Sequence, residues 1–192
     1  MNKLQIATSA LIALTFSNAH AIDKAKLARP MITVSGAPAQ INLTPSDTEP
    51  SMTVEMFGDK VYTIRALGKN IAPVEKWTSY SFAFTPETSG GVILTLQSQS
   101  TGDKDIELQV DYDNLSSDGT TIPNADFEER ELDKSLKNWK VSGEPIPNSK
   151  ETASSGDNYV TASNKNKISC PISVKGGELV RITFRARTHS DE

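Results

Sequence analysis

The chain has 192 residues and is mildly acidic, with 20 lysines and arginines against 24 aspartates and glutamates and a formal net charge of −4 at pH 7. Without a basic tract, such a chain is a poor candidate for binding nucleic acid or an anionic membrane surface. It contains a single cysteine, so no disulfide can form within the chain and packing alone must hold its core together.

The N-terminus has the pattern of a secretory signal peptide. Lys3 supplies a positive charge, residues 6–16 form an uncharged and mostly apolar run, and Ala19-His20-Ala21 fits the small-x-small cleavage pattern. The apolar run is shorter than the about 20 residues that a membrane-spanning helix needs. The sequence therefore predicts an exported protein (extracellular, periplasmic or at the cell surface), cleaved after Ala21 and without a transmembrane segment.

The rest of the chain has the period of two that is typical of β-strands. Apolar residues take every second position in residues 80–84, 92–96 and 106–112. Turn sequences rich in Gly, Pro, Asp and Ser separate these runs, as in residues 85–91 and 117–119. Short strands between such turns predict an all-β fold, namely a β-sandwich or jelly roll.

Two pairs of segments look like repeats. Residues 32–38 and 139–145 share Val-Ser-Gly-x-Pro, and residues 62–66 and 182–186 share Thr-x-Arg-Ala in the same strand phase. Preserved phase matters because a slip of one residue turns every side chain to the other face. The repeats predict a first β-sandwich module at residues 22–118 and, at residues 119–192, the N-terminal half of a second, incomplete sandwich.

Aromatic residues outside the inward stripes are candidates for contact with a sugar ring. Trp77 has the opposite parity to Tyr80 and could face outward at a strand start. Tyr159 follows a Gly-Asp-Asn turn and could line the rim of a site. The alternative for Trp77 is packing over a sandwich edge. Trp139 shares its phase with Val141 and is predicted to belong to the core.

Arginines form a second candidate for ligand contact. Residues 181–187 place Arg181, Arg185 and Arg187 on the outward face of one strand, and Arg65 takes the position of Arg185 in the matching segment. Guanidinium groups could hold uronate or sulfate groups with two hydrogen bonds each. The alternative is a solvated charged face that prevents pairing between sheet edges.

Catalysis is not favoured in these residues. His189 is the only histidine left after cleavage, and its place near the end of the chain predicts a solvated side chain. Asp111 and Asp113 fall on one exposed face of one strand, whereas glycosidase carboxyls face each other about 5 to 9 Å apart across a bond. Cys170 has the alternation of a buried small apolar residue. The sequence predicts no enzyme here; a catalytic domain, if there is one, would lie beyond residue 192.

Several motifs resemble a galactose-binding-like jelly roll and, more narrowly, the CenC-type carbohydrate-binding modules of secreted polysaccharide-degrading enzymes. Residues 77–86, 91–96 and 110–115 resemble the second half of such a module. Residues 124–128 (Asn-Ala-Asp-Phe-Glu), 139–143 and 179–187 resemble the first half. The resemblance implies a structural calcium near the module ends, with Asp113 as its ligand in the first unit and Glu128 in the second.

The function that the resemblance implies is non-catalytic polysaccharide binding, which targets a larger glycan-active enzyme to its substrate. Two other interpretations remain open. The chain could be a structural or spacer β-sandwich of a cell-surface or matrix protein. It could also be the N-terminal part of a secreted glycoside hydrolase or polysaccharide lyase.

Overall fold

The computed structural model describes residues 27–36, 39–42, 52–57, 61–66, 76–133, 135–143 and 153–189, so the predicted signal peptide at residues 1–21 lies outside the described residues. The described part is all-β, as predicted. In chain order its strands are β1 (Pro30–Gly36), β2 (Ala39–Asn42), β3 (Met52–Phe57), β4 (Val61–Ala66), β5 (Thr78–Pro86), β6 (Gly90–Ser98), β7 (Gln109–Asp118), β8 (Lys140–Ser142), β9 (Val160–Ser163), β10 (Lys167–Val174) and β11 (Val180–Thr188).

The strands form two sheets that pack into a β-sandwich. One sheet has six strands in the order β3-β4-β1-β6-β10-β8, and the other has five in the order β2-β5-β11-β7-β9. Every pairing within the two sheets is antiparallel. The predicted β-sandwich is confirmed.

The core lies between the sheets and follows the predicted period of two. In β11, residues Val180, Ile182, Phe184 and Ala186 are buried and alternate with half-buried polar residues. The buried Phe184 ring contacts two tyrosine rings, with its centroid 5.3 Å from that of Tyr80 and 5.8 Å from that of Tyr112. This alternation lets each strand bury one face while its other face meets solvent or loops.

Two further core predictions are confirmed. Cys170 is buried in β10, and burial raises the pKa of its thiol to about 12. Trp139 is 6% exposed, and its indole N–H donates to the carbonyl oxygen of Pro123 at 2.9 Å. That hydrogen bond satisfies the polar group of an otherwise apolar buried ring.

The predicted boundary at residue 118 does not separate two units. Strand β10 pairs with β6, and β11 lies between β5 and β7. Strands from residues 119–192 therefore complete both sheets that residues 22–118 begin. Within the described residues, the prediction of a separate, incomplete second sandwich is wrong, because the strand edges that it would leave open are paired inside one sandwich.

The predicted repeat of residues 62–66 at residues 182–186 is not a structural repeat. The first segment belongs to β4, next to β1 in the six-stranded sheet. The second belongs to β11, in the middle of the five-stranded sheet. Both segments form strands because both have the period of two, but the two strands lie in different sheets and are not structurally equivalent.

Two buried tyrosines predict opposite effects of losing a hydroxyl group. The Tyr112 hydroxyl donates to the carbonyl oxygen of Gln97 and accepts from the backbone N–H of Met31 at 2.9 Å. The Tyr80 hydroxyl is buried and has no hydrogen-bond partner in the described structure. We expect Tyr112→Phe to lower the free energy of unfolding by about 1–3 kcal/mol, because it leaves backbone groups unsatisfied. Tyr80→Phe should leave it unchanged or raise it.

Urea unfolding of the two variants beside the wild type checks this pair of expectations. Each variant is the control for the other, since both remove one oxygen atom from a ring that contacts Phe184. A loss of equal size in both variants would contradict the expectation that hydrogen bonding separates them.

Candidate ligand-binding face of the five-stranded sheet

The outer face of the five-stranded sheet carries a dense set of polar side chains. These residues alternate with the core residues of the same strands, so the period that builds the core also builds this face. We call it the outer face and define it by Ser79 and Ser81 of β5, Arg181, Thr183, Arg185 and Arg187 of β11, Asp111 and Asp113 of β7, and Thr161 and Ser163 of β9.

Each arginine of β11 lies opposite an aspartate of β7. In the strand register Arg181 pairs with Asp118, Arg185 with Asp113, and Arg187 with Asp111; the register shifts between Thr183 and Arg185. Opposite charges directly across an antiparallel pair stabilise it. The arginine row is therefore matched by a row of acids, which weakens the expectation that it holds uronate or sulfate.

Asp111 is a fully enclosed charged group of the outer face, as is Asp113. Its side chain is fully buried, and its carboxylate accepts from the Thr161 hydroxyl at 2.7 Å and from Arg187 Nε at 2.9 Å. His189 Nδ1 lies 2.7 Å from Asp111 Oδ1, the oxygen that also accepts from Thr161, whereas Arg187 binds Oδ2. The expectations of an exposed Asp111 and a solvated His189 are wrong, because neighbouring strands and the segment after β11 enclose the carboxylate.

Trp77, Tyr159 and Arg187 form one cluster beside this carboxylate. The guanidinium carbon of Arg187 lies 4.6 Å from the centroid of the Trp77 ring and 5.3 Å from that of Tyr159. The two rings meet edge to face at 5.7 Å and an interplanar angle of 76°. These distances are those of cation–π and aromatic pairs.

The two predicted aromatic contact residues differ in exposure. Trp77 is half-buried. Tyr159 is only 2% exposed. The expectation that Tyr159 lines a rim is wrong, because its ring packs against Trp77 and Arg187 instead of meeting solvent.

The arginines predicted to be equivalent are not brought together. Arg185 lies on the outer face and donates from Nη1 to the Ser154 hydroxyl at 2.9 Å. Arg65 belongs to β4 in the other sheet, where its backbone is paired with that of Met31. The description of the structure does not extend to the Arg65 side chain.

Asp113 and Glu128 both accept hydrogen bonds from residues 154–158. Asp113 is fully buried, and this burial raises the pKa of its carboxyl although the backbone N–H groups of Ser155, Asn114 and Ser154 oppose the shift. For Glu128, desolvation is the largest single influence and raises the pKa, but hydrogen bonds from Asn158 and Asp157 and the charge of Arg130 together outweigh it and lower the pKa. In both groups, hydrogen bonds to the ionised carboxylate favour that form and lower the pKa.

These contacts do not fit the calcium that the resemblance implies. Calcium takes about six to eight oxygen ligands, whereas the hydrogen bonds at Asp113 and Glu128 come from N–H donors. Among the described residues there is also no group of three or more His, Cys, Asp or Glu side chains that could hold a metal. Calcium binding stays a prediction of the resemblance alone.

Sequence reasoning found Trp77 and the arginine row but not the centre of the cluster. It treated Asp111 as an exposed acid and His189 as solvated, and it gave Thr161 no role. A usable signal was the shared outward parity of Asp111 and Arg187, but it becomes informative only when the pairing of β7 with β11 is known.

Within the residues that the structure describes, there is no helix with the length and apolar character of a membrane span.

Comparison with known proteins does not identify a family for this chain. No protein-family model matches the chain, and no similar curated protein or solved structure was found. The likeness to CenC-type modules therefore rests on the short motifs of the sequence, and the fold that those motifs imply is, at the level of a β-sandwich, the fold that is observed.

Proposed function

We propose that the outer face binds a carbohydrate without catalysis and that the chain thereby holds a larger exported, glycan-active protein near a polysaccharide. The observation that carries the proposal is the half-buried Trp77 ring beside a fixed set of hydrogen-bonding side chains. Ligand sites in proteins commonly combine an apolar surface with a few fixed polar groups that set orientation.

The chemistry of the cluster suits a sugar. A pyranose ring presents C–H groups that can lie against an aromatic face, and its hydroxyl groups both donate and accept hydrogen bonds. Arg185 and Arg187 offer donors, and the half-buried hydroxyl residues Ser79, Ser81 and Thr183 offer groups that both donate and accept. The Arg187–Asp111 ion pair, with N–O distance 2.9 Å, holds the guanidinium beside Trp77 before any ligand arrives, which reduces the entropy lost on binding.

Acid–base catalysis is less well supported by the same residues. The contact of His189 Nδ1 with Asp111 is the geometry that orients a catalytic histidine. Here, however, the same carboxylate also accepts from Thr161 and Arg187, which gives it a structural role in joining β7, β9 and β11. The spacer interpretation shares this fold and differs only in lacking affinity for sugar.

Affinity electrophoresis against a panel of polysaccharides tests the proposal. We expect the wild type to be retarded by at least one glycan and Trp77→Ala to weaken that binding about tenfold or more, because buried aromatic anchors dominate binding energies. Ile93→Ala is the matched control, since Ile93 is 41% exposed on the six-stranded sheet and lies outside the cluster.

Two outcomes would contradict the proposal. No retardation by any glycan would favour the spacer interpretation. Equal losses in Trp77→Ala and Ile93→Ala would place the binding surface elsewhere or indicate a general loss of folding, which the melting temperature of each variant distinguishes.

A further inference from the structure

The loop before β9 is held by two acids from distant parts of the chain. We call residues 153–158 the clamp loop. Asp113 Oδ2 accepts from the backbone N–H groups of Ser154 at 2.7 Å and Ser155 at 2.9 Å. Both residues lie in the first half of the loop, so one carboxylate fixes that half to β7.

Glu128 fixes the second half in the same way. Its Oε1 accepts from the backbone N–H groups of Asp157 at 2.8 Å and Asn158 at 2.9 Å, and its Oε2 accepts from the Asn158 side-chain amide at 2.6 Å. Successive backbone N–H groups that converge in this way form a concave anion site. Each half of the clamp loop therefore offers one such site, and each is filled by a carboxylate of the same chain.

Gly156, between the two halves, independently indicates that the contact is built into the loop. Its φ of +60° lies in the left-handed region, and a Cβ atom at this position would clash with Oε1 and Cδ of Glu128. Only glycine allows the loop backbone to approach the Glu128 carboxylate this closely.

We infer that the clamp loop is a metal-free lock, in which backbone N–H groups bind the two carboxylates that the family resemblance assigns to a calcium ion. The lock fixes Tyr159, which directly follows Asn158, against Trp77 and Arg187 on the outer face. Asp113 and Glu128 are positioning residues in this arrangement. The inference does not depend on sugar binding.

The electrostatics favour such a lock. Asp113 and Glu128 are close enough for the charge of Glu128 to raise the pKa of Asp113, so two like charges must be compensated. In this chain the N–H dipoles of the loop supply compensation through charge-assisted hydrogen bonds, and the positive charge of Arg130 adds to it at Glu128. A cation would have to displace those N–H groups before it could reach the same oxygens.

Thermal unfolding of the full chain in EDTA and in excess CaCl₂ is the first test. We expect the same melting temperature in both, within about 1 °C. A calcium site at a hundredfold excess over its dissociation constant would raise the melting temperature of a domain of this size by roughly 5 to 10 °C. A rise of that size, absent in Glu128→Gln, would overturn the inference.

Hydrogen exchange of individual amides in EDTA is the second test. The N–H groups of Ser154, Ser155, Asp157 and Asn158 should exchange slowly in the wild type. Glu128→Gln should speed exchange at Asp157 and Asn158 by about tenfold or more, because it removes the charge that the hydrogen bonds meet. Asp118→Asn, an exposed acid of β7, is the matched control and should change none of the four.

The variants also separate a local lock from general instability. Asp113→Asn should speed exchange at Ser154 and Ser155; if its buried position prevents folding, Glu128→Gln and the wild type in EDTA still decide the question. Fast exchange of all four amides in EDTA that becomes slow in CaCl₂ would overturn the inference. So would wild-type exchange rates at Asp157 and Asn158 in Glu128→Gln.

Discussion

A fragment of residues 22–118 is expected not to fold, although the sequence pattern presents it as a complete module. The reason is that β11 lies between β5 and β7, and β10 is the partner of β6 on the side away from β1. Without residues 119–192, β5 and β7 lose the strand that joins them. The purified fragment should give the far-ultraviolet circular dichroism of an unfolded chain and poorly dispersed amide resonances. Residues 22–192 should give the circular dichroism of a β-rich protein and well-dispersed amide resonances.

The size of the loss supports this expectation. Truncation at Asp118 removes the buried side chains Val180, Ile182 and Phe184, each worth about 1.5–3 kcal/mol of burial. Removal of β10 takes away further buried residues, including Ile168 and Ile172. Together these losses reach the 5–15 kcal/mol by which a typical domain is stable.

A single substitution in the full chain provides the control. Phe184→Ala should lower the free energy of unfolding by about 3–5 kcal/mol, and the whole described sandwich should unfold in one transition. Probes on β6 and on β11 should therefore report the same midpoint. A folded 22–118 fragment, or two separate transitions in the full chain, would restore the interpretation as two units.

The inward and outward positions of each strand could be predicted from the sequence, because a buried face requires apolar residues at every second position. In β5, β6 and β11, the residues that alternate along the chain are the residues that alternate across the sheet. The prediction needed no knowledge of which strands pair, because successive side chains of an extended segment point to opposite faces of the sheet whichever strand lies beside it. The inward residues of β11 are accordingly the predicted ones.

Strand neighbours could not be predicted because pairing is not a local property. The segments that resemble the second half of a module and those that resemble the first half lie side by side in one sandwich, with β10 beside β6 and β11 beside β5. The order of the motifs along the chain predicted two units, whereas the observed strand pairing joins them into one sandwich. The resemblance in motif and the observed pairing thus agree on the fold and differ on how many copies there are.

The same limit explains which parts of the site were missed. Alternation predicts that Asp111 points away from the core, but it does not predict what lies over that face. The segment after β11 brings His189 to Asp111, and the clamp loop precedes Tyr159, which packs against Trp77 and Arg187. A side chain that points away from the core is therefore not always exposed to solvent. For Asp111 and Tyr159, the burial is seen only in the structure.

Asp111→Asn is expected to lower the free energy of unfolding by about 3 kcal/mol or more. Asp111 is fully buried and its partner Arg187 is 16% exposed at the side chain, so the substitution removes the charge of Asp111 from beside a largely buried guanidinium. Removing one member of a buried ion pair typically costs about 3–5 kcal/mol. Urea unfolding measures the loss, and Asp118→Asn is the matched control: it removes an exposed acid opposite Arg181 on the same two strands, where a loss of about 0–1 kcal/mol is expected.

A double-mutant cycle with Arg187→Met shows whether the cost comes from the pair. If the loss in Asp111→Asn reflects the broken Arg187–Asp111 ion pair, the double variant should be more stable than the sum of the two single losses implies, with a coupling energy in the range of about 0.5–3 kcal/mol. Asp111→Asn alters the contacts of residue 111 with Thr161 and His189 whether or not Arg187→Met is present, so the cycle is designed to cancel their contribution. Additive losses would contradict the ion pair as the cause, and a loss in Asp111→Asn no larger than that in Asp118→Asn would contradict the enclosure of Asp111 itself.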